Sequence, residues 1–266
     1  MQNYMSHTNK IKNIIFLFLI FSCYNIKNAI LRTINQYNTR GKIVRVTIPE
    51  GKDIKETAEL IGKALPINKK TFIQIARHNN MEGYLMPETY FFNIYMNERQ
   101  IIDTMYKEFT NKITHSMYDR AKKLHLTFHE IVTLASIIEK EVSKPYERRT
   151  VAAVFYNRLG QKIKLQSCAT VLYAIGQKKL RLTNKDTCIN SPYNTYKYFG
   201  LPPGPICNPS LDSIKAALYP TNSKLLFFVS TGHGTHLFAR NFRDHKKNKQ
   251  LIKRDLNDKK KNLLRQ

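Results

Sequence analysis

The feature that most constrains this chain is a helical run of apolar residues that carries two glutamates near its end. Residues 134–142 read LASIIEKEV, and apolar side chains recur from Ile131 to Val142 at helical rather than strand spacing. Thr127, followed three positions later by Glu130, matches a capping box and predicts where the helix begins. Such a helix is expected to pack its apolar stripe into the core of a globular domain.

Glu139 and Glu141 occupy different faces of this predicted helix. At ~100° per residue, Glu139 lies on the flank of the apolar stripe and Glu141 about 200° further round, so the two carboxylates are not expected to share one site. A carboxyl at the edge of a core has the environment that raises its pKa and makes it a proton donor. An edge glutamate paired with Lys140 or Arg148 is the alternative, and helical spacing does not decide between the two.

Upstream of this helix, periodicity predicts a small α+β module over residues 42–93. An alternating strand is followed by a helix capped by Asp53, a second helix over residues 71–78, and extended segments on both sides of a proline. A long helix capped by Asn97 is predicted within residues 94–126 and connects the module to the next domain.

Downstream, a helix ending at Gly160 precedes a long stretch, residues 163–209, that is predicted to be mostly loop. Its tyrosines and asparagines suit a sugar-binding groove, and they suit equally well the packing of a loop onto a surface. A helix from Asn208 and a pair of strands within residues 225–238 complete the domain. The strongly basic remainder, residues 246–266, is predicted to be a solvated terminal helix and tail.

The N-terminus has the pattern of an export signal. Lys10 and Lys12 precede a continuous apolar run over residues 14–21, which is shorter than the ~20 residues that span a bilayer. Three outcomes stay open, namely a marginal membrane anchor, a cleaved signal, and a lipoprotein modified at Cys23. All three place the rest of the chain outside the cytoplasm.

Net charge and cysteine spacing limit which ligands and partners the chain is expected to bind. The net charge of +25 suggests an anionic partner, but the basic residues are spread along a Lys-, Asn- and Ile-rich chain, and nucleic acid is disfavoured. Cys168, Cys188 and Cys207 lack metal-ligand spacing, so no metal site is expected. A disulfide between two of the three is open, and the sequence does not choose the pair.

Several motifs, taken together and in order, resemble the YceG-like family of endolytic murein transglycosylases. They cover nearly everything from residue 42 to about residue 245. The motifs are EGYLMPETY (82–90), ASIIEKE (135–141), FYNRL (155–159), LQS (165–167), YNTY (193–196), GLPPGPI (200–206), and FV (228–229) with GHGTHLF (232–238).

The resemblance implies an α+β protein with a LysM-like βααβ module at residues 42–93 and a mixed α+β catalytic domain at residues 127–245. It implies a single-pass protein of the bacterial inner membrane, anchored and tethered by residues 1–41, with its catalytic domain outside. The expected reaction cleaves MurNAc–GlcNAc bonds in nascent peptidoglycan strands, leaves 1,6-anhydro-MurNAc ends and terminates strand elongation. The expected partners are glycan strands, the membrane and cell-wall synthases, with no cofactor, metal or nucleic acid.

By the same resemblance, Glu139 is the catalytic residue. We expect it to protonate the glycosidic oxygen and then to take the proton of the sugar's own 6-hydroxyl, with the substrate's N-acetyl carbonyl in place of a second carboxylate. The residues expected near the bound glycan are Gln166, Ser167, Asn194 and Tyr196.

The chain also departs from the family pattern. Cys168 stands where an aspartate usually follows LQS or LQT, and Ser210 stands where a glycine usually follows Asn-Pro. The segment before Lys42 is short as well. A catalytically impaired peptidoglycan-binding protein of the same fold is therefore the alternative function. An exported nucleic-acid binder rests on net charge alone.

Overall fold

The computed structural model describes residues 42–176, 179 and 182–263, with side chains described as far as residue 255. The predicted anchor and tether, residues 1–41, lie outside the described residues. Within the described part of the chain, no helix combines the length and the apolar character needed to cross a bilayer.

The first four elements follow the predicted strand–helix–helix–strand order. They are β1 (Ile43–Thr47), α1 (Ile54–Ala64), α2 (Lys69–His78) and β2 (Thr89–Asn93). The predicted cap of α1 is confirmed, because the Asp53 carboxylate accepts a hydrogen bond from Glu56 N at 2.7 Å, and the Glu56 side chain completes a capping box. β1 pairs with β2 in a two-stranded sheet, which confirms the α+β class of this module.

The described chain divides into two compact units. The smaller comprises residues 42–45 and Phe91–Met96, and in it Ile94 N donates to Lys42 O at 3.0 Å. The larger comprises Val46–Tyr90 and the described residues from Asn97 onward. The predicted domain boundaries stay predictions, and all that follows concerns the larger unit.

The single connecting helix predicted within residues 94–126 is wrong, because the structure has two helices there. These are α3 (Glu98–Lys112) and α4 (His115–Lys123). Between them Ile113 and Thr114 adopt extended backbone, with ψ of 115° and 157°. Both residues are β-branched, which lowers helix propensity and favours extended backbone. Ile113, in the break, and Met117, in α4, are both buried.

The predicted glutamate-bearing helix is α5 (Phe128–Glu141), and its Thr127–Glu130 capping box is confirmed. Eight consecutive residues, from Ile131 to Ile138, are buried, so the helix is covered on every side rather than along one stripe. A helix buried all round is a core element. It packs most extensively against α8 (Leu211–Leu218) and also against α6 (Arg148–Gly160), which follows a short 3-10 turn at Pro145–Glu147.

The stretch predicted as loop contains a helix that periodicity missed. α7 (Cys168–Ile175) has only eight residues, and its cap residue Ser167 makes no side-chain cap hydrogen bond. It ends at Gly176, whose left-handed φ of 64° suits glycine. The predicted strand pair is confirmed as β3 (Phe227–Ser230) antiparallel to β4 (His236–Ala239). A basic helix, α9 (Phe242–Leu263), follows.

The burial of α5 predicts a large cost for shortening a core side chain. Leu134 is 0 % exposed, and Leu134→Ala is expected to lower the free energy of unfolding by about 2–5 kcal/mol, because a cavity replaces the buried methyl groups. Leu251→Ala is the matched control, since Leu251 is 51 % exposed. Urea unfolding measures both variants. Equal losses in the two would contradict the placement of α5 in the core.

Candidate active site

A cleft of about 1610 Å³ opens in the larger unit. Its walls come from the start of α1, the end of α5, one face of α7 and the proline-rich loop around residue 204. Glu82 and Glu141 both line it, and both carboxyls have raised pKa values. Concave sites with a few convergent polar groups and perturbed acids are where substrates bind in enzymes.

Glu141, the last residue of α5, is one of the residues that line this cleft. Ser167 Oγ donates to Glu141 Oε1 at 2.5 Å, and the backbone N–H of Ala169, in the first turn of α7, donates to the same carboxylate. Burial raises the pKa of the Glu141 carboxyl, while these hydrogen bonds and the charge of His236 oppose that rise. A carboxyl whose pKa is raised by burial, with hydrogen-bond donors in place for its anion, suits proton transfer.

Hydrogen bonds join the LQS and YNTY motifs next to Glu141. Gln166 N donates to Thr195 O at 3.0 Å, and Ser167 N donates to Thr195 Oγ1 at 3.0 Å. Gln166 has a left-handed φ of 53°, and its side chain accepts from Arg158 Nη1 at 3.3 Å. The structure thus brings Gln166 and Ser167 together with Thr195 of the YNTY motif. Neither is among the described residues that line the cleft, and their contact with a glycan stays a prediction.

Tyr196 and Cys168 meet beside these residues. The Tyr196 hydroxyl lies 3.0 Å from Cys168 Sγ, and Cys168 lines the cleft. Burial raises the pKa of the Cys168 thiol, and the neighbouring carboxyl of Glu141 raises it further. The residue that replaces the expected aspartate is therefore a neutral thiol against a phenol, close to the candidate acid.

Asn194, also predicted to contact substrate, is fully buried and organises the loop that carries Tyr196. Its amide nitrogen donates to Thr187 O at 3.0 Å and to Ile189 O at 2.8 Å. Its amide oxygen accepts from Tyr196 N at 3.0 Å. Both amide hydrogens are used within the protein, so the geometry gives Asn194 a supporting position rather than an exposed one.

Glu139 has a different environment from Glu141. Its side chain is 7 % exposed, and Oε2 accepts from Ser210 N at 2.9 Å and from Ser210 Oγ at 2.5 Å. Oε1 accepts from Arg148 Nη2 at 3.3 Å. The sequence-based alternative, an ion pair with Arg148, is confirmed. Among the described residues that line the cleft, Lys140 and Glu141 appear and Glu139 does not. Its role as proton donor stays a prediction.

The second departure from the family pattern has a clear structural role. Ser210 stands at the N-cap of α8, where Oγ accepts from Ser213 N at 3.2 Å while donating to Glu139. A serine here satisfies the helix terminus and the buried carboxylate at once. A glycine would supply only the backbone N–H.

Asn208 holds two walls of the cleft together. Its side-chain oxygen accepts from Gly83 N and Leu85 N, each at 3.0 Å, and its amide nitrogen donates to Lys52 O at 2.9 Å. Gly83 has a φ of 87°, and a Cβ there would lie 2.5 Å from the Pro205 ring. Only glycine fits that close approach.

Sequence reasoning did not single out Glu82, Glu141 or Tyr173. For Glu141, helical spacing pointed away from it, since it lies off the apolar stripe of a helix that proves to be buried all round. For Glu82, the sequence did contain a signal. Glu82 is the first residue of the EGYLMPETY motif and directly precedes Gly83, where only glycine fits against Pro205. Tyr173 lay in α7, which was not predicted as a helix.

The comparisons with known proteins agree with this fold. The model of the YceG-like family matches residues 22–251, and the chain belongs to that family. A Bacillus subtilis protein named endolytic murein transglycosylase is 41 % identical over 180 residues, which cover 67 % of this chain and 50 % of that protein. One of the same name from Streptococcus pneumoniae is 32 % identical over 243 residues, covering 77 % and 44 %.

A solved structure has the same fold. The crystal structure of a yceG-like protein from Listeria monocytogenes matches with a TM-score of 0.69 and 34 % identity, covering 76 % of this chain and 74 % of that one. The chain spans about half the length of the two curated relatives it matches.

The position of Asn194 generates a stability prediction. In Asn194→Asp, a carboxylate oxygen replaces the amide nitrogen that faces two carbonyl oxygens, so two donors are lost and repulsion is added. We expect the free energy of unfolding at pH 7 to fall by about 2 kcal/mol or more. The exposed Asn190, whose side-chain oxygen only accepts, is the matched control, and Asn190→Asp is expected to stay within about 0.5 kcal/mol. Similar losses in urea unfolding would contradict the supporting role.

Proposed function

We propose that the chain is a peptidoglycan lytic transglycosylase that cuts within the glycan strand, between MurNAc and GlcNAc, and leaves 1,6-anhydro-MurNAc ends. Family membership and the shared name of two relatives support the substrate class. The observation that carries the proposal is the position of Glu141, which lines the cleft with a pKa raised by burial and with Ser167 Oγ and the N–H of Ala169 donating to its carboxyl.

Glu141 acts first as an acid. Its carboxyl proton passes to the glycosidic oxygen as the bond from that oxygen to C1 of MurNAc breaks. The resulting carboxylate is stabilised by Ser167 Oγ and by the N–H of Ala169. His236, which is fixed by Glu147 at 2.7 Å, adds a favourable charge when protonated. These groups lie in place before the reaction, so they need little reorganisation.

Glu141 then acts as a base. Its carboxylate takes the proton of the sugar's 6-hydroxyl while that oxygen bonds to C1, which closes the anhydro ring and restores the acid. The substrate's N-acetyl carbonyl assists at C1 in the interval, so no carboxylate about 5 Å from Glu141 is required as a nucleophile. One carboxyl that changes role is sufficient for this chemistry.

The remaining predicted residues support this site in different ways. Ser167 is a positioning residue, because it acts through Glu141. Asn194 fixes the loop that presents Tyr196. We propose that the ring of Tyr196 and the amide of Gln166 lie beside the bound strand, as the motif resemblance suggests. Inner-membrane anchoring by the N-terminal segment, work beside cell-wall synthases and the termination of strand elongation belong to the same proposal.

Cys168 favours a second candidate, a peptidoglycan-binding protein of the same fold with impaired catalysis. Where the family pattern has a carboxylate, this chain places a neutral thiol against the hydroxyl of Tyr196. Under this alternative, strands bind in the cleft and are released uncut.

Matched variants test the proposal. Full-length chain, Glu141→Gln and Glu139→Gln are each given purified peptidoglycan, and the products are identified by mass. We expect Glu141→Gln to lower the rate of anhydro-end formation by about 10²–10⁴-fold, because the proton donor is lost. We expect Glu139→Gln to keep the activity while lowering Tm, because it weakens the contacts to Ser210 and Arg148.

The other outcomes are equally informative. Loss of activity in Glu139→Gln at unchanged Tm would move the proton donor to Glu139, as the sequence predicted. Reducing ends in place of anhydro ends would indicate hydrolysis. Binding without any product from the unmodified chain would favour the impaired binder.

A further inference from the structure

We propose that Glu82 and Tyr173 form a second sugar-binding point in the cleft, which holds the glycan strand while Glu141 acts at the bond being cut. This inference rests on the proposed function for the identity of the ligand. The two residues are not needed for the proton transfers described above.

One face of α7 connects the two points. Ala169, Leu172 and Tyr173 line the cleft together, as residues three and four apart on a helix do. The N–H of Ala169 binds Glu141, and the hydroxyl of Tyr173 lies 3.3 Å from Glu82 Oε2. Four residues of helix separate these anchors by ~6 Å along the axis, before the length of the tyrosine is added. The two carboxyls therefore meet different parts of a bound strand.

The surroundings of Glu82 suit a group that recognises a hydroxyl-rich ligand. Ile54 N, at the start of α1, donates to its two oxygens at 3.1 and 3.3 Å, which fixes the direction of the carboxyl. The ring of Tyr173 lies 5.0 Å from that of Tyr193, and both rings line the cleft. Oriented polar groups beside aromatic rings are how clefts combine specificity with contact area.

The protonation state of Glu82 determines whether its carboxyl can donate a hydrogen bond to a ligand. Burial and the neighbouring Asp53 raise the pKa of Glu82 to about 8, against the opposing effects of Ile54 N, Tyr173 and Arg77. The other titratable groups facing it are Tyr193 and the buried thiol of Cys207, whose pKa values are also raised. Glu82 is thus protonated at neutral pH and offers a hydroxyl donor, which it loses above about pH 8.

Binding without cleavage gives the test. Full-length Glu141→Gln is titrated with uncross-linked glycan strands from pH 6 to pH 9.5, and the Kd is measured by calorimetry. We expect affinity to fall about 2- to 10-fold as pH rises through about 8, the effect of losing one hydrogen bond. Adding Glu82→Gln, which mimics the neutral acid, should keep the affinity at pH 7 and remove the pH dependence. Adding Tyr173→Phe, which keeps the ring, should weaken binding within the same range.

Glu59 and Glu88 supply the controls. The charge of Glu59 is retained in the binding background and its side chain is 57 % exposed and paired with Lys69, so Glu59→Gln measures the effect on Kd of removing a surface charge at the rim of the cleft. Glu88, which is 44 % exposed, paired with Lys112 and not among the described residues that line the cleft, is the control expected to bind like its parent as Glu88→Gln. Far-UV circular dichroism and Tm are measured for every variant.

An unchanged pH dependence in Glu82→Gln, with a change in Tm alone, would overturn the proposal and leave Glu82 as a cap of α1. A shift of the Kd in Glu88→Gln as large as the shift in Tyr173→Phe would overturn it as well. Because the readout is binding, a failure of the anhydro-product assay leaves this result standing. Conversely, if anhydro products form but glycan binding does not depend on pH, only the second sugar-binding point at Glu82 and Tyr173 is refuted.

Discussion

The ion pair and hydrogen bonds of Glu139 are the interactions on which the rest of the site depends. A carboxylate that is 7 % exposed must be paired, and its partners come from two other helices, Arg148 of α6 and Ser210 at the start of α8. A buried charge without partners costs several kcal/mol, so this network strongly favours one arrangement of α5, α6 and α8. With α5 held in that arrangement, Glu141 in its last turn lines the cleft. The two glutamates thus have different surroundings, since Glu139 binds α6 and α8 and Glu141 binds Ser167 at the start of α7.

Local hydrogen bonding is what the sequence predicted well. The caps of α1, α3 and α5, the strand–helix–helix–strand order and the β3–β4 pair all depend on residues close together in the sequence. Prediction was poorer where the structure depends on distant neighbours. α7 is short and uncapped by a side chain, and Ile113, in the break between α3 and α4, is buried, as is Met117 in α4.

In the candidate site, too, local motifs were predicted and long-range contacts were not. Motif resemblance located the EKE segment and assigned the catalytic role to Glu139, but it carries no information about the surroundings of either glutamate. The two glutamates differ in their tertiary contacts, which are made with residues distant in the sequence. Glu141 meets Ser167, 26 positions away, and Glu139 meets Ser210, 71 positions away. The apolar stripe that placed Glu139 at an edge also does not define the buried face of α5, because residues on all sides of this helix are buried. No spacing rule contains that information.

Asn208 has a consequence for how this protein can be divided. Its one side chain joins the backbone near residues 52, 83 and 85 to the segment that follows the proline-rich loop. Residues on both sides of that junction line the cleft. The segment that resembles a LysM module thus supplies one wall of the cleft and is not an accessory carried beside it. Grafting either side of the junction onto another scaffold would transfer only part of the cleft, so swapping modules among relatives must keep both sides of this junction together.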